Sequence, residues 1–246
     1  MNETIRTILE HRSIRHFSED KLTKEDVKLL VQSAQAASTS SYIQAYSIIG
    51  VTDRQKKEKL AELAGGQQYV ADNGHLFVFC ADFYRHEEMA KAYNLDVSES
   101  VESTEKFMVG VIDAALAAQN MSVAAESMGL GICYIGGIRN DLQGVSELLQ
   151  LPHRVLPLFG LVVGHPAKET DQKPRLPLQH IYHENGYHLD HSTHLEEYDE
   201  LISSYYHERT GGKRQDRWTE QIAGMLSMPK RMYMKQFVES KGYNKR

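Results

Sequence analysis

The sequence predicts an α+β or mixed α/β chain, and three observations carry that prediction. Short apolar runs rich in β-branched and aromatic residues read as buried strands. They alternate with stretches of helical periodicity, and long helical patterns open and close the chain. The 246 residues, 41% hydrophobic and 25% charged, have ordinary globular composition with no internal repeat or low-complexity linker.

Each element follows from its own residues. Ile5, Ile8 and Leu9 lie at helical spacing over residues 3–11, with Asn2 or Thr4 able to cap the start. Thr23 with Asp26 three residues on resembles a capping box, and Val27, Leu30, Val31 and Ala34 then form one face of a helix ending near Ala37. A hydroxyl-rich loop, Ser38–Tyr42, comes next. Tyr46–Thr52 and Leu76–Ala81 read as strands, separated by a charged helix over 54–63 and the turn Gly65-Gly66-Gln67-Gln68. The longest helix is expected over Thr104–Met128, where alanines leave little bulk on any face; such a helix packs closely on several sides and suits a subunit interface. A strand at Ile132–Ile135, a helix near 140–149 and a strand at Val155–Val163 follow. Prolines on both sides of Arg175 stiffen Lys173–Pro177 as an extended segment. The last fifty or so residues return to helices, interrupted by Thr210–Arg214.

Bulk properties narrow the function. A formal charge of −5 disfavours nucleic-acid binding, so an anionic ligand would have to be held by local cations. Two cysteines, Cys80 and Cys133, each inside an apolar run, make neither a disulfide framework nor a zinc pattern and suit a reducing compartment. The N-terminus lacks a signal-like apolar stretch, and no window approaches the ~20 apolar residues of a membrane span. A soluble, cytoplasmic protein is expected.

Chemistry concentrates in a few places. His11-Arg12-Ser13-Ile14-Arg15 packs three potential cations and a hydroxyl into five residues at a helix end. Arginine forks and a short hydroxyl match phosphate oxygens, although the pattern alone fits a solvated basic helix end better. Lys173-Pro174-Arg175 holds two cations on a stiff backbone, which suits a preformed anion site. The glycine clusters fail as nucleotide motifs. After Gly129-Leu130-Gly131 the third fingerprint position falls on Tyr134, and Gly137 and Ile138 stand where a phosphate loop needs lysine and serine or threonine. Gly136-Gly137 after a strand could instead bring backbone N–H groups against a flat ligand. His180, His183, His188, His191 and His194 crowd one stretch with a single nearby glutamate, Glu184; a solvated loop explains them better than a metal site, and none is predicted. No nucleophilic triad declares itself, so an enzyme here would draw on a cofactor.

Taken in order, HRSIRHF, the Ser38–Ser41 run, GGQQ, GLGICYIGGIRN, LPLFGLVVGHP and KPRLP make the chain resemble, over essentially its whole length, the oxygen-insensitive nitroreductase and NADPH–FMN oxidoreductase (flavin reductase) family. The resemblance implies the α+β nitroreductase fold. It has a mixed central β-sheet flanked by helices, in one FMN-binding domain over 1–246 whose C-terminal excursion, 180–246, wraps the partner of a homodimer. It implies that His11, Arg12, Ser13 and Arg15 bind FMN, together with Thr39, Ser40, Ser41, Gln67, the Tyr134-Ile135-Gly136-Gly137 backbone, Lys173 and Arg175. Arg175 leans toward phosphate, and Arg15 and Lys173 tune the reduced ring. No side chain is catalytic in its own right: reduced nicotinamide passes hydride to flavin N5, then a nitroaromatic, quinone or free flavin takes the electrons in ping-pong fashion. Arg209 and Arg214, with Gly211-Gly212 freeing their loop, match the arginines that hold the NADPH 2′-phosphate, with Arg139 near the entrance; NADH is a possible second donor. A colourless Rossmann dehydrogenase and a flavin protein without turnover are the alternatives.

Overall fold

A computed structural model describes every residue except Glu169, and every side chain except those of Glu169, Ser192 and Thr193. It comprises two compact units, Met1–Thr170 with Arg231–Arg246, and Asp171–Lys230.

The first unit is built on four strands, β1 (Tyr46–Val51), β2 (His75–Asp82), β3 (Gly131–Ile135) and β4 (Val155–Gly164), in the order β1-β2-β4-β3. The α+β class holds, but the sheet differs from the expected mixed one. All three strand pairings are antiparallel, and the parallel component is an isolated bridge between Ser13 and Ile132. Strand β2 is buried along its whole length. Its alternate residues serve two cores: Phe77, Phe79 and Ala81 face one cluster, and Leu76, Val78 and Cys80 the other. A sheet covered on both faces explains why LFVFCA reads as a continuous apolar run rather than as alternation.

Helices supply the covers. α1 (Glu3–Leu9) starts at Asn2, whose side chain accepts from the Ile5 N–H. α2 (Lys24–Gln35) starts on the expected capping box, with Thr23 and Asp26 bonded reciprocally. α3 (Arg54–Leu63) covers the second core. α4 (Tyr84–Ala92) and α5 (Ser98–Val101) are absent from the sequence reading. Neither has a side-chain cap and each buries one residue, so the periodic signal is faint. α6 (Thr104–Ser127) puts Val109, Ala114, Ala117, Ala118, Met121 and Ala125 into the first core. Among the described residues it is the one helix long and apolar enough, by length and composition, to cross a membrane, contrary to the expectation that no window comes near. Here its small residues serve close packing against α2 and β2. α7 (Leu142–Leu148) joins the second core through Val145 and Leu148.

In the second unit, α8 (Ser192–Arg209) and α9 (Trp218–Leu226) share a small cluster of Tyr198, Ile202, Tyr206 and Trp218. Residues 231–246, which the sequence groups with the C-terminal excursion, pack in the first unit instead. From α10 (Met234–Ser240), Phe237 and Val238 enter the first core beside the fully buried Tyr243. The Tyr243 hydroxyl donates to the Arg154 carbonyl, and Lys245 and Arg246 pair with Glu102 at 2.8 and 2.9 Å.

Candidate functional site

The basic segment after α1 runs alongside β3. The Ile14 N–H donates to the Ile132 carbonyl at 2.8 Å, and Ile14 is buried while Arg12 and Arg15 on either side are exposed. Gly131 permits this approach, because a Cβ there would lie 2.6 Å from Ile14 Cγ1. That is the physical reason for the second glycine of GLG, and it has nothing to do with nucleotide phosphates.

Arg12 donates to the Thr170 carbonyl at 3.3 Å and lines a cleft of about 400 Å³ with Ile14, Pro166, Ala167, Lys168 and Thr170. The Thr170 hydroxyl is buried there with no hydrogen-bond partner among the described residues. Two cations and an unsatisfied hydroxyl at one cleft suit a phosphate. Lys168 and Thr170 are absent from the sequence reading; the signal available was their position just before Lys173. A second cavity that Arg12 also lines, about 240 Å³, carries Glu10 and Glu126 and disfavours an anion. His11 pairs with the same Glu126, its Nδ1 2.6 Å from Oε1.

The ring-facing candidates gather at the end of β3. Gly137 is packed against the end of α3, where a Cβ would come 2.4 Å from the Ala64 carbonyl oxygen. Internal packing alone already requires glycine there. The consequence is that the Ile135–Gly137 backbone abuts the turn holding Gly65, Gly66 and Gln67. Tyr69 donates to Gln67 Oε1 at 2.7 Å, leaving the amide nitrogen of Gln67 to donate elsewhere. Burial pushes the Tyr69 phenol up, the Cys133 thiol beside it adds to that, and Arg15 pulls it down. Arg15, Tyr69 and Gln67 are thus neighbours, although Arg15 is far from them in sequence. The Tyr134 hydroxyl accepts from Ser122 of α6 at 3.0 Å.

Thr39, Ser40 and Ser41 form the loop before β1, with Ser40–Tyr42 in a 3₁₀ turn and Ser41 and Tyr42 at φ 49° and 58°. Arg139 is directed inward: it donates to the Leu158 carbonyl at 2.8 Å, and burial holds its pKa below the usual arginine value. This gives Arg139 a supporting task beneath Gly136, whose Cβ would meet its guanidinium at 3.1 Å.

In the second unit, Lys173 lies 5.3 Å from the Tyr206 ring centre and Arg214 4.4 Å from the same ring. The segment is fastened by the Tyr198 hydroxyl donating to the Pro174 carbonyl at 3.1 Å, and Arg175 is exposed beside it. Arg209 donates to the Tyr205 hydroxyl at 2.9 Å, and Arg214 Nε to Asp216 at 2.6 Å. Gly211 and Gly212, at φ 60° and 82°, make the turn between them. The histidines cluster rather than scatter. His180 and His191 approach through their Nδ1 atoms at 2.9 Å, and His183 and His194 lie at ring distances of 5.8 Å from His191 and His180 respectively. Among the described residues, no three His, Cys, Asp or Glu side chains are arranged to hold a metal.

Comparison with known proteins places this arrangement. The profile of the Nitroreductase family matches residues 8–165, and that of the Nitroreductase family, C-terminal domain, matches 173–246. FMN reductase (NADPH) of Bacillus subtilis (strain 168) is 59% identical over 248 residues, covering 100% of both chains. The structure of B. megaterium NfrA1 superposes with a TM-score of 0.98 at 62% identity, covering 99% of this chain and 100% of that one. The NADPH:FMN oxidoreductase from Vibrio harveyi, complexed with NAD+, gives 0.92 at 40% identity, covering 100% of both.

Proposed function

The chain belongs to the nitroreductase family, and from that premise we propose that it is an FMN-dependent oxidoreductase that takes electrons from NADPH and delivers them to nitroaromatics, quinones or free flavin. The observation that carries this reading is the convergence at the end of β3. Arg15, the Gln67 amide oriented by Tyr69, and the Ile135–Gly137 backbone offer a cation and directed donors beside a cleft with a cationic, phosphate-suited end. Bound FMN would supply the hydride-accepting and electron-donating chemistry that no side chain here provides.

The chain's own residues have separable tasks. Arg12 and Ser13, with Lys168 and Thr170, hold the phosphate end, and His11, held by Glu126, supports the segment beside them. Arg175 adds a further guanidinium for phosphate. Arg15 and Lys173 place positive charge near the ring, which favours its electron-rich reduced state. Thr39, Ser40 and Ser41 supply hydroxyls, and Gln67 a directed amide. Arg209 and Arg214 take the 2′-phosphate of NADPH, with Arg139 in a supporting position. NADH serves as a second donor, a reading favoured by the NAD+ bound in the Vibrio harveyi protein.

The protein acts as a cytoplasmic homodimer in this reading. Its support is the exposed apolar stripe Met108, Ile112 and Leu116 on α6, with Ile5, Ile8 and Leu9 exposed on α1, which packs beside it. Such contiguous apolar surface marks an interaction face. Residues 180–230 of the C-terminal excursion are assigned to wrapping the partner.

The test is an absorbance spectrum of the protein reconstituted with FMN, then NADPH addition without and with nitrofurazone or a quinone. A flavin band that bleaches with NADPH and recovers with acceptor is expected. A colourless protein ends the flavin reading, and a yellow one inert to NADPH makes it a flavin protein without turnover.

A further inference from the structure

Asp113 sits in the middle of α6 with no exposed surface, and among the described residues no ion pair reaches it. A buried carboxylate without a cation is costly, and hydrogen bonds to its charged oxygens are what offset that cost. Its two oxygens are used on one loop. Oδ1 accepts from the Ser40 N–H at 2.9 Å and Oδ2 from the Ala45 N–H at 3.0 Å.

Between those two anchors the backbone is strained. Ser41, Tyr42 and Gln44 stand at φ 49°, 58° and 57°, and none is glycine. Such a residue carries a strain cost and persists only where its surroundings impose it. The strain does not serve the core, because Tyr42 is 81% exposed and Ser41 and Gln44 are exposed as well. It serves the shape of the loop's outer side, where Thr39, Ser40 and Ser41 carry their hydroxyls. Asparagine would not substitute: two N–H donors converge on the side chain, and an amide offers one acceptor and turns a second donor against the other N–H.

We propose that Asp113 is a positioning residue for flavin binding, a buried carboxylate that clamps both ends of the 39–45 loop so that its hydroxyls are held ready for the cofactor. The proposal rests on the assignment of Thr39–Ser41 to FMN. Asp113 touches no ligand and acts only through the loop.

The experiment measures FMN dissociation constants on the apo protein by quenching of flavin fluorescence. It compares wild type, Asp113→Asn, the loop variant Thr39→Ala/Ser41→Ala, their combination, and Gln67→Ala with and without Asp113→Asn. The expected result is an affinity loss of about tenfold or more in Asp113→Asn, equivalent to about 1.4 kcal/mol. Combination with the loop variant should add little further, while combination with Gln67→Ala should add in full. A merely structural defect would add equally to both. Loop variants that weaken FMN while folded Asp113→Asn binds normally, or effects that add throughout, overturn the role of Asp113 and leave the loop assignment standing. Loop variants that bind FMN like wild type overturn both. Hydrogen exchange on the wild-type apo protein gives a reading independent of whether Asp113→Asn folds. Slow exchange at the Ser40 and Ala45 amides supports the clamp, and fast exchange at both overturns it.

Discussion

Arg209 and Arg214 show how a residue can be anchored and still be available. Their partners are local, Tyr205 for Arg209 and Asp216 and the Tyr206 ring for Arg214, and both side chains remain exposed. Exposed pairs of this kind contribute little to stability, so their removal should leave the fold intact. A phosphate offers more, since a hydrogen bond to a charged group is worth about 1.5–3 kcal/mol. The Arg209→Ala/Arg214→Ala variant is therefore expected to raise the KM for NADPH by about tenfold to a hundredfold with little change for NADH; steady-state kinetics with both donors checks this, and an equal loss for both sinks the assignment. Arg209, Arg214 and the cationic HRSIR segment could be singled out from the sequence as candidates. The partnerships could not. That Tyr69 orients Gln67, or that Arg139 turns inward to the Leu158 carbonyl, depends on neighbours far away in the chain.

At the level of elements, caps and continuous apolar runs announced most helices and strands, and α4 and α5 went unannounced because they lack both. Strand β2 holds a further consequence. His75 opens it almost fully buried, its Nε2 without a hydrogen-bond partner among the described residues and its ring 4.3 Å from that of Phe77. Burial, reinforced by the charge of Lys57, pushes its pKa down to about 4. The folded state therefore rejects a proton that the unfolded chain accepts near pH 6.5. Between those two values the unfolded state binds more protons, so stability is lost as pH falls from about 6.5 to about 4 and is insensitive to this group outside that window. His75→Phe should remove this part of the acid sensitivity, about 2 kcal/mol between pH 7 and pH 4.5. Urea unfolding of both proteins at the two pH values measures it; identical acid losses would show that His75 is not the group responsible.

For the whole molecule, the exposed stripe on α6 is the feature that a single chain does not explain. Met108, Ile112 and Leu116 recur every four residues and share one face, outside the core that the helix's alanines fill. If that face meets a second chain, Ile112→Glu/Leu116→Glu places two charges in the contact, which should convert the dimer to a 28.0 kDa monomer and weaken FMN retention. Light scattering coupled to size exclusion reads the mass directly, and an unchanged dimer removes α6 from the interface.

The sequence by itself determined the α+β class, most element positions, the capping of α2, and the family, because these rest on local periodicity and on motifs read in order. Tertiary structure decided the rest. Antiparallel pairing of β3 with β4 and of β2 with β4, the return of residues 231–246 to the first unit, and the packing of Gly137 on Ala64 join residues that are distant in sequence. No local pattern encodes such contacts. Asp113 is the plainest case: in sequence it is one polar residue in an alanine-rich helix, and only the folded chain brings to its two oxygens the backbone N–H groups of Ser40 and Ala45, about seventy positions earlier.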